Sequence, residues 1–336
     1  METKKENITY NNAKFFKDKN IRLPTISELA NPLNINENIR NNLEYIDKNS
    51  FDPLNLFRVH WYNSNNHIKF NYCPEHIVLS SEFTGVDAKI IVNIGRLFPM
   101  IQAHKVLAAY ACLIPKIVSG QFDYTKHKAV WPSTGNYCRG GVAISKILGC
   151  RSVAVLPEGM SEERFNWLNK WVLNPSDIIK TPGTESNVRE IYEKCKKLEN
   201  YDQNNIIINQ FSEYNNYAVH RSVSGTSFEQ SFLKVKGNSE LSAKLYVAAS
   251  GSSGTLGAGD YLKNKLGTSI AVVEALECPT LLKNGYGEHN IQGIGDKHVP
   301  LIHNVMNTDY VVAVSDKATD NLNLIFNSNI GKEYLI

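Results

Sequence analysis

From about residue 86 onward the chain repeats one pattern: a short, β-branched-rich apolar run, then a segment of helical length. The runs are 89–94 (KIIVNI), 129–131 (AVW), 152–156 (SVAVL), 177–181 (DIIKT), 206–209 (IIIN), 244–249 (KLYVAA), 269–275 (SIAVVEA) and 310–315 (YVVAVS). Continuous apolar runs, as opposed to alternating ones, predict strands buried on both faces, as in a parallel sheet. Strand-to-helix crossovers of this kind build an open, doubly wound α/β architecture. No internal repeat or low-complexity linker interrupts the pattern, so a second domain has to be interleaved with the first. Residues 1–75 lack the pattern. Pro24, Pro32, Pro53 and Asn clusters break them up, which predicts an N-terminal extension of a few short helices draped over a core.

Length and charge narrow the function. The 336 residues suffice for two compact domains, and 42% apolar with 21% charged residues excludes wholesale disorder. Lys plus Arg minus Asp plus Glu is 36 − 33, a net +3, too balanced to argue for nucleic acid or an anionic membrane as partner. No apolar run approaches the ~20 residues that span a bilayer. The polar, Lys/Asn-rich start has no apolar core of a signal peptide, so a cytoplasmic protein is expected. The six cysteines form no CxxC pair and have no His at zinc-finger spacing, so free thiols and no metal site are expected.

In doubly wound folds ligands sit in the loops that leave the carboxyl ends of strands. After the run 244–249 comes Ser250-Gly251-Ser252-Ser253-Gly254-Thr255-Leu256-Gly257, then a helix that includes 261–266. Small residues let the backbone approach an anion, and a helix amino end supplies free N–H groups and a favourable dipole. The loop predicts a phosphate cradle; the bland alternative is a turn that only joins strand to helix. It is no Walker loop, since no Lys follows the last Gly, and no GxGxxG, although Glu274 lies at a ribose-acid distance.

Between Arg96 and Lys116 the only formally charged residue is Lys105, in a stretch apolar on nearly every side from 103 to 114. A buried lysine near a helix start is held more easily as a neutral amine, and a neutral amine is a nucleophile. The alternative is a lysine that snorkels to the surface. The run 129–131 leads into Pro132-Ser133-Thr134-Gly135-Asn136-Tyr137 before another helix, a second set of anion donors, here suited to a carboxylate. A simple N-cap at Ser133 or Asn136 would explain the same residues.

In this combination and order, over about residues 76–315, the sequence resembles the cysteine synthase-like (β-family, fold type II) pyridoxal-phosphate enzymes. Ser133-Thr134-Gly135-Asn136 is similar to the family's substrate loop, and Lys105 stands 31 residues before Asn136, near the family's spacing for its Schiff-base lysine. Residues 209–220, with Gln210, Asn216 and His220, resemble the Q-F-x-N-x-x-N-x-x-x-H stretch, and Ser224-Gly225-Thr226 follows it. Gly251-Ser252-Ser253-Gly254-Thr255 corresponds to G-T-G-G-T, and Ile291-Gln292-Gly293-Ile294-Gly295 to I-Q-G-I-G. The resemblance implies pyridoxal 5'-phosphate as cofactor, with Lys105 as its Schiff-base lysine and as base for the Cα proton. It implies Asn136, Gly251, Ser252, Ser253, Gly254 and Thr255 at the cofactor. It implies Ser133, Thr134, Gly135, Tyr137, Gln210 and Gly293 at a small amino acid substrate.

The implied fold is α/β: two interleaved open parallel-sheet domains. These comprise a 1–75 extension, a larger cofactor domain of 76–97 plus 211–336, and a smaller substrate domain of 98–210. The implied reaction is β-replacement or β-elimination on an amino acid of serine, O-activated serine or cysteine type, by a homodimer. A threonine synthase or dehydratase type is the nearest variant, a non-catalytic pseudoenzyme the rival, and a nucleotide-dependent oxidoreductase through Glu274 a distant third. Two departures stand out. Ala103-His104-Lys105-Val106 lacks the family's Ser and basic pair, and Tyr137 replaces a small residue. Only 41 residues follow Gly295, room for one strand and part of a helix, so the last strands of the cofactor domain are expected to be missing.

Overall fold

The computed structural model describes residues 2–66, 69–184, 187–295 and 297–335. The first two strands, β1 (His76–Leu79) and β2 (Ile90–Asn93), form an antiparallel pair of their own. The run 89–94 is thus a strand, but not the parallel one its continuous apolar pattern predicts. Four strands follow: β3 (Lys128–Pro132), β4 (Arg151–Pro157), β5 (Ile178–Thr181) and β6 (Asn205–Ile207). They form a wholly parallel sheet in the order β5-β4-β3-β6. A second parallel sheet has the order β7-β8-β9, from Leu245–Ala249, Ser269–Ala275 and Tyr310–Val314.

The first sheet is buried on both faces, as its composition requires. Ala129 and Trp131 of β3, with Ala154 and Leu156 of β4, join the main core. The intervening Val130, Val153 and Val155 pack on Ile191 and Cys195 of the helix Val188–Tyr201 on the other side. The second sheet departs from the prediction. Ala248, Ile270 and Val272 pack under Leu256 of the helix Leu256–Leu266. On its other face Leu245, Val247, Tyr310 and Val312 are exposed.

The N-terminal segment is less peripheral than its broken pattern predicts. It opens with a 17-residue helix, Glu2–Asp18, that packs on the helix Lys105–Val118. The Asn12 side chain donates to the carbonyls of Ile117 (2.9 Å), in the last turn of that helix, and of Phe122 (2.7 Å), in the segment that follows it. Leu56, Val59, Trp61 and Tyr62 enter the main core, and the Trp61 indole donates to Ser224 Oγ at 2.8 Å. The segment after Gly295 holds β9 and two helices, Asp316–Asn327 and Asn329–Leu335, more helix than predicted. Among the described residues no helix is long and apolar enough to cross a membrane, and all six cysteines are free thiols.

Candidate active site

Three strand ends and one helix start converge on a cavity of about 350 Å³. β3 ends at Pro132 and its chain passes through Ser133–Gly135 into the helix Asn136–Leu148. β6 leads to Gln210, β7 to the 250–255 loop and the helix Leu256–Leu266. Lys105 opens its own helix. It is delivered by a turn in which Met100 (φ 65°) and Gln102 (φ 53°) hold the left-handed conformation that non-glycine residues seldom adopt.

Lys105 is the hub. Its Nζ donates to Gln210 Oε1 at 2.9 Å and to Ser252 Oγ at 3.1 Å. Gln210 Nε2 in turn donates to Ser133 Oγ at 3.3 Å. The amine therefore touches the two loops read as carboxylate and phosphate cradles, one directly and one through Gln210. Burial lowers the Lys105 pKa to about 8, against a smaller opposing effect from Cys112.

Beneath this hub, Asn216 is fully buried and donates to the Gln210 carbonyl (2.9 Å) and to Ser252 Oγ (3.2 Å). A Cβ on Gly254 would lie 2.3 Å from Asn216 Oδ1, so the glycine is required by close approach. Ser253 holds φ 64°, which turns the loop sharply toward the helix.

The cavity wall takes in Lys105, Ser133, Thr134, Asn136, Tyr137, Gln210, Gly251, Ser252 and Gly293 of the sequence-predicted residues. Gly135 lies against the Arg164 guanidinium, with a Cβ position 2.7 Å from Cζ. Ser253, Gly254 and Thr255 sit where the loop turns into its helix. Tyr137 is buried, its ring packed edge-on against Trp131 at 5.4 Å. Cys138 is fully buried and its thiol is pushed up to about 12 by desolvation, which suits packing and not nucleophilic use. His104 stacks on Trp61 (centroids 6.0 Å) and is pushed down to about 3 by burial and then by the Lys105 charge. Glu274 is no ribose acid. Its buried carboxylate accepts the N–H groups of Leu281 (2.9 Å) and Leu282 (3.0 Å).

Sequence reasoning missed part of the wall. Val188, Ile191, Tyr192 and Phe211 form an apolar side, with Tyr192 edge-on to Phe211 at 6.0 Å. Arg164 reaches the cavity from the helix Glu162–Trp171, and Gln292 stands at its rim. The loop after β4 was the place to look for Arg164, since it too leaves the carboxyl end of a parallel strand.

No family model matches the chain. It is 30% identical over 182 residues to cysteine synthase B of Campylobacter jejuni, a match covering 53% of this chain and 57% of that protein. A probable cysteine synthase of Bacillus subtilis is 28% identical over 188 residues, covering 55% and 58%. The chain thus spans under three-fifths of the length of these relatives. Among solved structures, an O-acetylserine-dependent cystathionine β-synthase from Helicobacter pylori superposes with a TM-score of 0.65 at 20% identity, over 74% of this chain and 78% of that one. A hydrogen sulfide-producing enzyme from Fusobacterium nucleatum gives a TM-score of 0.64 at 21% identity, over 76% and 82%. In sequence and in fold the chain is cysteine synthase-like, built on the fold type II plan.

Proposed function

We propose that this protein is a pyridoxal-phosphate-dependent enzyme that carries out β-replacement or β-elimination on a small amino acid of the serine, O-activated serine or cysteine type. The observation that carries the reading is the position of Lys105, whose amine is poised within hydrogen-bond reach of both Gln210 and Ser252. Relatives that bear the name cysteine synthase, and fold neighbours named for O-acetylserine use and hydrogen sulfide production, support the same class of chemistry.

The residues present fit the cofactor. A glycine-rich turn at the amino end of the helix Leu256–Leu266 suits a phosphate, and the approach of Gly254 to Asn216 leaves no room for a side chain there. Lys105 would hold the cofactor through Nζ, the 251–255 loop its phosphate, and Asn136 its ring hydroxyl. When bound, pyridoxal phosphate supplies an electron sink that acidifies the amino acid's Cα–H. Ser133, Thr134 and Gln210 hold the substrate carboxylate through hydroxyl, N–H and amide donors. That grip orients the Cα–H toward Lys105 Nζ, which accepts the proton as a neutral amine. The substrate's Cβ leaving group departs with its electron pair; in replacement a thiolate adds at Cβ and Lys105 returns the proton to Cα. The apolar wall of Ile191, Tyr192 and Phe211 keeps water from that carbon.

The two sheets support a division into a substrate domain at 98–210 and a cofactor domain at 76–97 plus 211–336. A homodimer in the cytoplasm completes the reading. The test is the visible spectrum of the purified protein with added pyridoxal phosphate, then borohydride reduction and peptide mapping. A yellow protein with the label on Lys105, changing colour with serine or O-acetylserine, is expected. A colourless protein that takes up no cofactor would overturn the reading in favour of a non-catalytic role.

A further inference from the structure

Arg164 is a buried arginine that the proposed chemistry does not use. It stands on the helix after β4, and its guanidinium bonds to both sides of the cleft. Nη1 donates to the Thr134 carbonyl at 3.0 Å, inside the 133–136 loop on the four-stranded sheet. Nη2 donates to Gln292 Oε1 at 2.6 Å, on the loop that follows β8 of the other sheet. Gly135 lies so close to the guanidinium that a Cβ would meet Nη1 at 2.9 Å and Nε at 3.0 Å. The planar fork of arginine can serve two acceptors in fixed directions, which the point charge of a lysine cannot.

The far partner is itself anchored. The Asp316 carboxylate accepts the N–H groups of Asn290 (2.6 Å) and Ile291 (3.0 Å), pinning the start of that loop to the helix Asp316–Asn327. Gly293 (φ 83°) and Gly295 (φ 79°) hold left-handed turns just after Gln292, which bend the loop along the cleft. Gln292 is exposed at the cavity rim while Arg164 is buried below it.

We propose that Arg164 is a positioning residue that couples the amino-acid loop 133–136 to the loop 291–295 across the cleft. When a carboxylate seats on Ser133 and Thr134, the shift of the Thr134 carbonyl is passed through one rigid guanidinium to Gln292, so both loops settle over the ligand together. This rests on the amino-acid reading of the 133–136 loop given above.

The experiment compares the wild type with Arg164→Gln, Arg164→Lys, Gln292→Ala and the Arg164→Gln/Gln292→Ala double variant. The cofactor-free full chain is followed by amide hydrogen exchange, and the pyridoxal-phosphate-loaded chain by visible absorbance during titration with L-serine. Arg164→Gln is expected to speed exchange at both 133–136 and 291–295. It is expected to weaken L-serine binding about fivefold, as loss of a partly exposed charge-assisted bond should. Gln292→Ala is expected to reproduce both effects, the double variant to be no worse than either single, and Arg164→Lys to restore only one loop. Faster exchange at 133–136 alone, or single effects that multiply in the double variant, would overturn the coupling. Because Gln292 is exposed, its variant keeps the test valid even where Arg164→Gln fails to fold. A wild type that takes up cofactor but shows no absorbance response to any amino acid would instead refute the substrate reading, and the exchange data would still decide the coupling.

Discussion

Burial of Lys105 has a measurable consequence in pH. With a pKa near 8, about half of its amine is neutral at pH 8, against about 0.3% for a lysine at the ordinary value of 10.5. The gain in reactive amine at that pH exceeds a hundredfold, roughly. The perturbation is pH alone, and the assay is the rate at which visible absorbance develops when pyridoxal phosphate is mixed with the protein. The same rate measured for a free acetyl-lysine cancels the cofactor's own titration. The ratio of the two rates should be greatest below pH 8 and fall tenfold per unit between about 8 and 10.5, as the free amine catches up. Lys105→Met should show no such band. A ratio that stays flat from pH 7 to 10 would mean an unburied amine and would refute the argument. The linkage has a definite sign: the folded pKa lies below the unfolded one, so the unfolded chain holds the extra proton between about pH 8 and 10.5. The Lys105 contribution to stability therefore rises with pH across that window and is absent in Lys105→Met.

Two further variants test the scaffold. Gly254→Ala places a Cβ 2.3 Å from Asn216 Oδ1, and Asn216 cannot yield without releasing Gln210 and Ser252. A loss of about 2 kcal/mol in urea unfolding and much weaker cofactor uptake are expected; an alanine variant unchanged in both would show that the close approach is not needed. Asn12→Ala removes two buried hydrogen bonds, to the Ile117 and Phe122 carbonyls, so a loss of about 2 kcal/mol is expected. An effect within 0.5 kcal/mol, roughly the scatter of neutral surface changes, would show that the first helix is merely laid on the surface.

The elements that were legible in advance share one property: their signal is local. The runs 152–156 and 269–275 form β4 and β8, because a strand buried on both faces needs apolar residues at every position. Lys105 was visible because a lone charge in an apolar helix demands a partner, and the structure supplies Gln210 and Ser252. The run 89–94 has the same composition as the others yet pairs antiparallel with residues 76–79. Pattern reports how buried a strand can be, whereas the direction of its neighbour depends on the return path of the chain. Glu274 shows the same limit of spacing: an acid at the right count from a glycine loop for a ribose instead accepts the N–H groups of Leu281 and Leu282.

What the amino-acid order determined by itself was the α/β class and the small, hydroxyl-bearing loops that leave the strand ends. Each of these follows from the chemistry of neighbours within a dozen positions. What only the tertiary structure decided was which distant residues meet: Trp61 with Ser224, Asn216 with Ser252, and Arg164 with both Thr134 and Gln292. Those pairings cross from 30 to 163 positions of sequence. They are set by how helices and sheets pack in three dimensions, and no spacing rule along the chain encodes them.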